Sequence, residues 1–155
     1  IIRIDFSIFN TSSPTSLVIG ISKQLAEIAT QHDLKLDSTC DVNYQISDLI
    51  IGLYNKTGQQ VVILIDEYDA PIISNIKHPE VLDLNRELLA NFYRTIKGRD
   101  GFLRFVFLTG VSKFAKVSVF SGLNNLRDIT LSEQFADLLG YTQVELERYF
   151  QVVIT

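Results

Sequence analysis

Apolar and polar positions along the chain switch between a period of two and a helical period. Ile2, Ile4 and Phe6 alternate with Arg3 and Asp5, which predicts a strand over residues 1–7; Asn10 to Pro14 then has the composition of a turn. From Ser16 onward Leu17, Val18, Ile21, Leu25 and Ile28 recur at helical spacing, and Leu49, Ile50, Leu53 and Tyr54 do so again before Gly58. Two helices are therefore expected before the next strand. That strand is the unbroken apolar run 61–65, of the kind found where helices cover both faces of a parallel sheet, and it stops at Asp66-Glu67. Leu82, Leu88, Leu89, Phe92 and Ile96 form another helical stripe, closed by Gly98 and Gly101, ahead of a second apolar run at 103–109. Helix followed by buried strand is a βαβ signature. A loop holding Gly110 and Gly122 leads to a short segment, 126–131, read as a further strand. Ser132 and Thr142 then read as helix N-caps, Thr142 forming a capping box with Glu145, and Gly140 occupies a helix C-terminal position between them. The pattern predicts one layered α/β domain with a mostly parallel sheet and no internal repeat.

Composition narrows the function classes. A chain of 155 residues, 46% hydrophobic, is the size of one compact domain. A net charge of −4 and a pI near 5.1 argue against a surface built to hold a phosphate backbone, so direct nucleic-acid binding is not supported. The single cysteine, Cys40, cannot form an internal disulfide, and the N-terminus lacks the order of a secretory signal. No apolar run approaches the roughly 20 residues that span a bilayer. A soluble, cytoplasmic setting is expected. With no methionine and with both ends in apolar sequence, the chain reads as a piece of something larger.

In open α/β sheets, ligands gather at the carboxyl ends of the strands. An apolar strand ending in Asp66-Glu67 is the Walker B pattern, in which the first carboxylate helps to hold hydrated Mg²⁺ and the second orients the water that attacks the γ-phosphate. A buried strand also ends in acidic residues where the chain simply returns to solvent. Asp69 suits either a turn before Pro71 or a second metal carboxylate. At the next strand end, Thr109 and Ser112 would stand beside the acidic pair if the two strands are neighbours. A hydroxyl there would sense the γ-phosphate, or Thr109 would pack like valine in a turn to which Gly110 lends an unusual backbone angle. Lys113 is a candidate phosphate ligand, and Lys116 suits a solvated rim. No G-x-x-x-x-G-K-[ST] or G-x-G-x-x-G occurs in the 155 residues. His32 and His78, the only histidines, lie in polar settings with no zinc or Cys-His spacing to Cys40.

Three blocks in this order, VVILIDEYDAPI at 61–72, FVFLTGVSKFAKVSVFSGLNNLRDIT at 105–130 and FADLLGYT at 135–142, resemble the bacterial AAA-ATPase-like domain family. The resemblance runs over essentially the whole chain, and the long block after Thr109 is more specific than an acidic strand end. It implies a three-layer P-loop NTPase-like fold, with 1–155 as an AAA-ATPase-like domain that starts after the P-loop strand and helix. It carries over Asp66 and Glu67 as the Walker B pair, the first toward metal and the second catalytic, and makes Thr109 or Ser112 the sensor position. Mg²⁺ and ATP are the implied cofactors. A C-terminal nuclease-like domain of the PD-(D/E)XK superfamily is the implied partner, although neither that domain nor the family's R-R-F-G-K-[ST] loop occurs here. Asn124, Asn125 and Arg127 match the family's G-L-N-N-L-x-D block without an assigned role.

Loss of a central P-loop strand would leave 103–109 and 126–131 as unpaired edges, favouring self-association. The leading expectation is the Walker B and sensor part of an ATP-driven switch. The alternatives are a non-hydrolysing nucleotide-binding or interaction module, and a metal-dependent hydrolase using Asp66, Glu67 and Asp69 directly.

Overall fold

A computed structural model describes residues 1–111, 126–138 and 141–154, with the last three as backbone only. It divides into two units, Ile1–Asn124 and Asn125–Thr155. In the first, strand β1 (Ile2–Asp5) runs into a 3₁₀ turn (Phe6–Ile8) and is followed by helices α1 (Pro14–Gln31) and α2 (Val42–Thr57). Strand β2 (Val61–Asp66), the single-turn helix α3 (Ala70–Ile73), helix α4 (Pro79–Lys97) and strand β3 (Leu103–Leu108) complete it.

The helix starts have local causes. Ser13 accepts the Ser16 N–H ahead of Pro14 at the first helical position of α1, and Asp41 accepts the Asn43 N–H at the head of α2. Each removes one of the donors that a helix N-terminus leaves without a partner. The α2 start lies well before the apolar stripe at Leu49, because its first turns bury Val42, Gln45, Ile46 and Ser47. Gly58 ends α2 with φ 65, and its N–H reaches the Tyr54 carbonyl.

The sheet is wholly parallel in the order β1-β2-β3, with Ile2 opposite Ile63 and Ile63 opposite Val106. Right-handed crossovers that step always in one direction lay their helices on one face. On that face Ile2, Ile4, Val61, Ile63 and Ile65 join Leu17, Ile21, Leu25, Ile46, Leu49, Leu89, Phe92 and Tyr93 in one buried cluster. The opposite face alternates with it: Val62, Leu64 and Phe107 are half-buried, and Phe105 is 53% exposed and stacked on Phe107 at 5.9 Å. The outer edge of β3 has no strand partner among the described residues.

Two buried amides tie loops to this body. Asn75 and Asn85 both donate to the Thr11 and Pro71 carbonyls, at 2.8 to 3.3 Å, joining the chain after β1 to α3 and α4.

In the second unit, helix α5 (Gln143–Ile154) starts at the expected capping box: Glu145 accepts the Thr142 N–H at 2.9 Å and returns its own N–H to Thr142 Oγ1 at 3.2 Å. The Thr142 N–H bond, with that from the hydroxyl, holds the Glu145 carboxyl below its ordinary pKa. Segment 126–131 is not a strand. Asp128 accepts both the N–H and the hydroxyl of Thr130, and Ser132 N–H reaches the Ile129 carbonyl, so the backbone turns with no ladder partner. The Ser132 start is a 3₁₀ turn (Glu133–Phe135) without a side-chain cap. Gly122 and Gly140 lie outside the described residues. Among the described residues no helix is long and apolar enough to cross a membrane.

At Gly58, an added Cβ meets nothing within 4 Å, so substitution tests the backbone conformation alone. Gly58→Ala should lower stability by about 1–2 kcal/mol, and Gly58→Asn by less, since asparagine tolerates the left-handed region. Urea denaturation followed by circular dichroism measures both; equal midpoints would show that the turn relaxes.

Candidate functional site

At the carboxyl end of the sheet three strand exits stand level. Asp5 is paired in register with Asp66, and the residue after the Ile65–Leu108 pair on β3 is Thr109. All three lie on the less covered face of the sheet. Thr109 Oγ1 donates a short hydrogen bond to Asp66 Oδ1, so β2 and β3 are neighbours and the hydroxyl adjoins the acidic pair. It does not pack like valine. Asp5 commits its Oδ1 to the N–H and hydroxyl of Ser7.

The backbones of these exits are joined as well. Thr109 N–H donates to the Ile65 carbonyl at 2.8 Å, and Tyr68 N–H donates to the Thr109 carbonyl at 3.0 Å. Between them Glu67 turns into the left-handed region at φ 51, with its own N–H donating to Asp66 Oδ1 at 3.1 Å. A left-handed non-glycine residue costs about 1–2 kcal/mol and persists where surrounding bonds over-determine it. Asp66 is thus held to Thr109, whereas the backbone at Glu67 leaves the strand line.

Asp69 is fully buried, and its Oδ1 accepts the Val111 N–H at 3.3 Å. Asp69 thus heads the turn before Pro71 with its side chain buried, and no group of three or more potential metal ligands gathers among the described residues. The same packing explains Gly110. A Cβ there would lie 2.5 Å from Asp69 Oδ1 and 2.6 Å from the Tyr68 ring, so glycine is required for close approach and not for an unusual backbone angle. Tyr93 lies beneath; burial pushes its phenol pKa well up, with Tyr68 and Asp69 adding to the effect.

The structure thus brings Asp66, Glu67 and Thr109 together, while Ser112, Lys113 and Lys116 lie outside the described residues, as do Asn124 and Asn125. Arg127, in the second unit, has its guanidinium 5.5 Å from the Phe135 ring centre. Cys40 is exposed and donates to Asp37, and His78 is exposed at the head of α4. Sequence reasoning missed Asp5, because the alternation was read as a strand over 1–7 whereas the strand ends at Asp5. It also missed the burial of Asp69, for which the acidic sequence gives no signal.

A parallel sheet with helical crossovers and an acidic exit from its central strand define an α/β domain of the P-loop-like class. The chain belongs to the AAA-ATPase-like family: residues 1–120 match the family described as "Predicted AAA-ATPase". It is also 40% identical over 130 residues to an uncharacterized protein in the vnfD 5′ region of Azotobacter chroococcum mcd 1, a match covering 82% of this chain and 25% of that relative. The chain therefore spans about a quarter of that relative's length. No solved structure matches it.

Gly110→Ala should cost about 1–3 kcal/mol, because Asp69 and Tyr68 are buried and have little room to yield. Gly101→Ala, where an added Cβ meets nothing within 4 Å, should change stability by less than about 0.5 kcal/mol. Paired thermal and urea unfolding tests the contrast; equal losses would mean that the corner is loosely packed.

Proposed function

We propose that the exits of β2 and β3 form the metal-and-water half of an ATP hydrolysis site, with Asp66 toward Mg²⁺, Glu67 toward the attacking water and Thr109 as the γ-phosphate sensor. The observation that carries this reading is the joined corner itself: a carboxylate hydrogen-bonded to a hydroxyl on the neighbouring strand, followed by a glutamate whose backbone turns into the left-handed region. Carboxylate and hydroxyl oxygens are hard donors, and Mg²⁺ keeps several waters while taking one or two protein carboxylates, so this donor set fits. Bound Mg²⁺ and ATP would supply the electrophilic phosphorus and neutralise its developing charge.

Each residue has its own part. Asp66, half-buried, receives the Thr109 hydroxyl on Oδ1 and keeps Oδ2 for a hydrated cation. Glu67, off the strand line, can accept a proton from water and orient its lone pair. Thr109 can exchange its bond to Asp66 for one to a phosphoryl oxygen. Ser112 and Lys113, a few residues further on, belong to the proposal as phosphate-side ligands.

The phosphate cradle is not among these 155 residues, which carry no Walker A sequence. The Azotobacter relative is several times longer, leaving room for such a loop and for a further domain. In this reading the site is part of an intracellular ATPase whose turnover drives a partner, a nuclease-like domain being the family's usual one.

Two outcomes test the proposal. The 155-residue chain should bind ATP only weakly and release no phosphate above background, since both the backbone nest and the lysine of a P-loop are missing. Submicromolar affinity in a titration would overturn this division of the site. In the full-length protein, Glu67→Gln should keep nucleotide binding while turnover falls about 10²-fold or more, whereas Asp66→Asn should weaken Mg²⁺-dependent binding and turnover together. Titrations at several Mg²⁺ concentrations beside steady-state phosphate release separate the two; parental turnover in both variants would sink the assignment.

A further inference from the structure

The carboxylate of Asp69 is used in an unexpected place. Asp69 is the N-cap residue of α3, where an aspartate ordinarily accepts an N–H from the first helical turn, yet it makes no side-chain cap bond. The α3 N–H groups of Ile72 and Ile73 bond instead to the Asp69 main-chain carbonyl, at 2.9 Å each. The carboxylate, fully buried, reaches across to the Val111 N–H. Val111 itself is 78% exposed, whereas the bond from its N–H is partly buried. Gly110 has no side chain where one would strike Asp69, and this lets the two exits close to contact.

A buried carboxylate is costly unless hydrogen bonds to the charged form offset its desolvation, so its position is not incidental. We infer that Asp69 is a positioning residue: it latches the Thr109–Val111 exit of β3 onto the β2 exit, fixing the Thr109 hydroxyl against Asp66 and holding Glu67 in its left-handed turn. The inference rests on the functional reading above for its consequence, but not for its geometry. The latch lies beyond the last ladder pair, Ile65 with Leu108, where strand pairing no longer sets the position of the chain. Besides it, two backbone hydrogen bonds and the Thr109 hydroxyl join the two exits among the described residues. Because Asp69 also starts α3, whose Pro71 carbonyl is bonded by Asn85 of α4, the position of the hydroxyl is referred to the helical layer as well as to the sheet.

The latch can be read without any activity. In the unaltered chain, amide hydrogen exchange followed by NMR should show Val111 N–H protected about tenfold or more over an unstructured peptide, despite its exposure, and Thr109 and Tyr68 N–H protected with it. An unprotected Val111 amide overturns the inference. Asp69→Ala should abolish the Val111 protection and reduce that of Thr109, leaving Val106 in the β3 ladder unchanged. Asp69→Asn, which keeps an acceptor oxygen, should retain a measurable part of it.

In the full-length protein Asp69→Ala should lower kcat about tenfold with KM changed less than about threefold, and Asp69→Asn should restore part of kcat, as expected where geometry rather than binding is lost. Parental kcat in Asp69→Ala beside an inactive Glu67→Gln overturns the latch and leaves the site assignment standing. Parental turnover in Glu67→Gln and Asp66→Asn, with Val111 protection lost in Asp69→Ala, overturns the assignment and leaves the latch. If Asp69→Ala does not fold, the exchange pattern of the unaltered chain and the Asp69→Asn kinetics decide.

Discussion

The corner chemistry depends on the pairing of β2 with β3 in a parallel register that carries Thr109 level with Asp66. Two hydrogen bonds beyond the ladder, from Thr109 N–H to Ile65 and from Tyr68 N–H to Thr109, extend that register by one residue past the strands. A shift of one position would move the hydroxyl to the opposite face, since side chains alternate along a strand. The buried face enforces the register: Ile63 with Val106 and Ile65 with Leu108 must face the helices together, so burial of apolar side chains fixes the place of a polar one.

A second constraint is local. Glu67 stays in a costly backbone conformation because its neighbours on both sides are committed, Asp66 to Thr109 and Tyr68 N–H to the Thr109 carbonyl. Strain of this kind clusters at functional sites, and here it falls on the second residue of the acidic pair. The close approach of Gly110 to Asp69 and Tyr68 confines the corner from the other side. The geometry is therefore over-determined by several weak contacts, none of which involves a ligand.

Much of this was legible in the chain. The helical stripes through Leu17 to Ile28 and Leu82 to Ile96, and the apolar runs at 61–65 and 103–109, appear as elements because period and burial agree there. The acidic strand exit and the adjacency of Thr109 followed from strand order. The pattern failed where tertiary contacts decide. Residues 126–131 are apolar enough for a strand but turn on Asp128, and α3, a single turn, is too short to have a period. Asp69 reads in sequence as a turn former or a metal carboxylate, and its burial beside Val111 is a tertiary fact that no local pattern carries. No local signal marks Glu67 as left-handed, since that conformation is imposed by bonds to a strand some forty residues away.

Because β1, β2 and β3 follow one another across the sheet in chain order, every pairing must wait for a crossover to form. Residues opposite each other on β1 and β2 are roughly 60 positions apart along the chain, and those on β2 and β3 roughly 40, so the second loop costs slightly less entropy to close. Such non-local pairing places the unit among slow-folding topologies, with the β2–α4–β3 half favoured to assemble first. The acidic corner lies within that half, so its geometry would be set early, and β1 with α1 and α2 would dock on a sheet already carrying it.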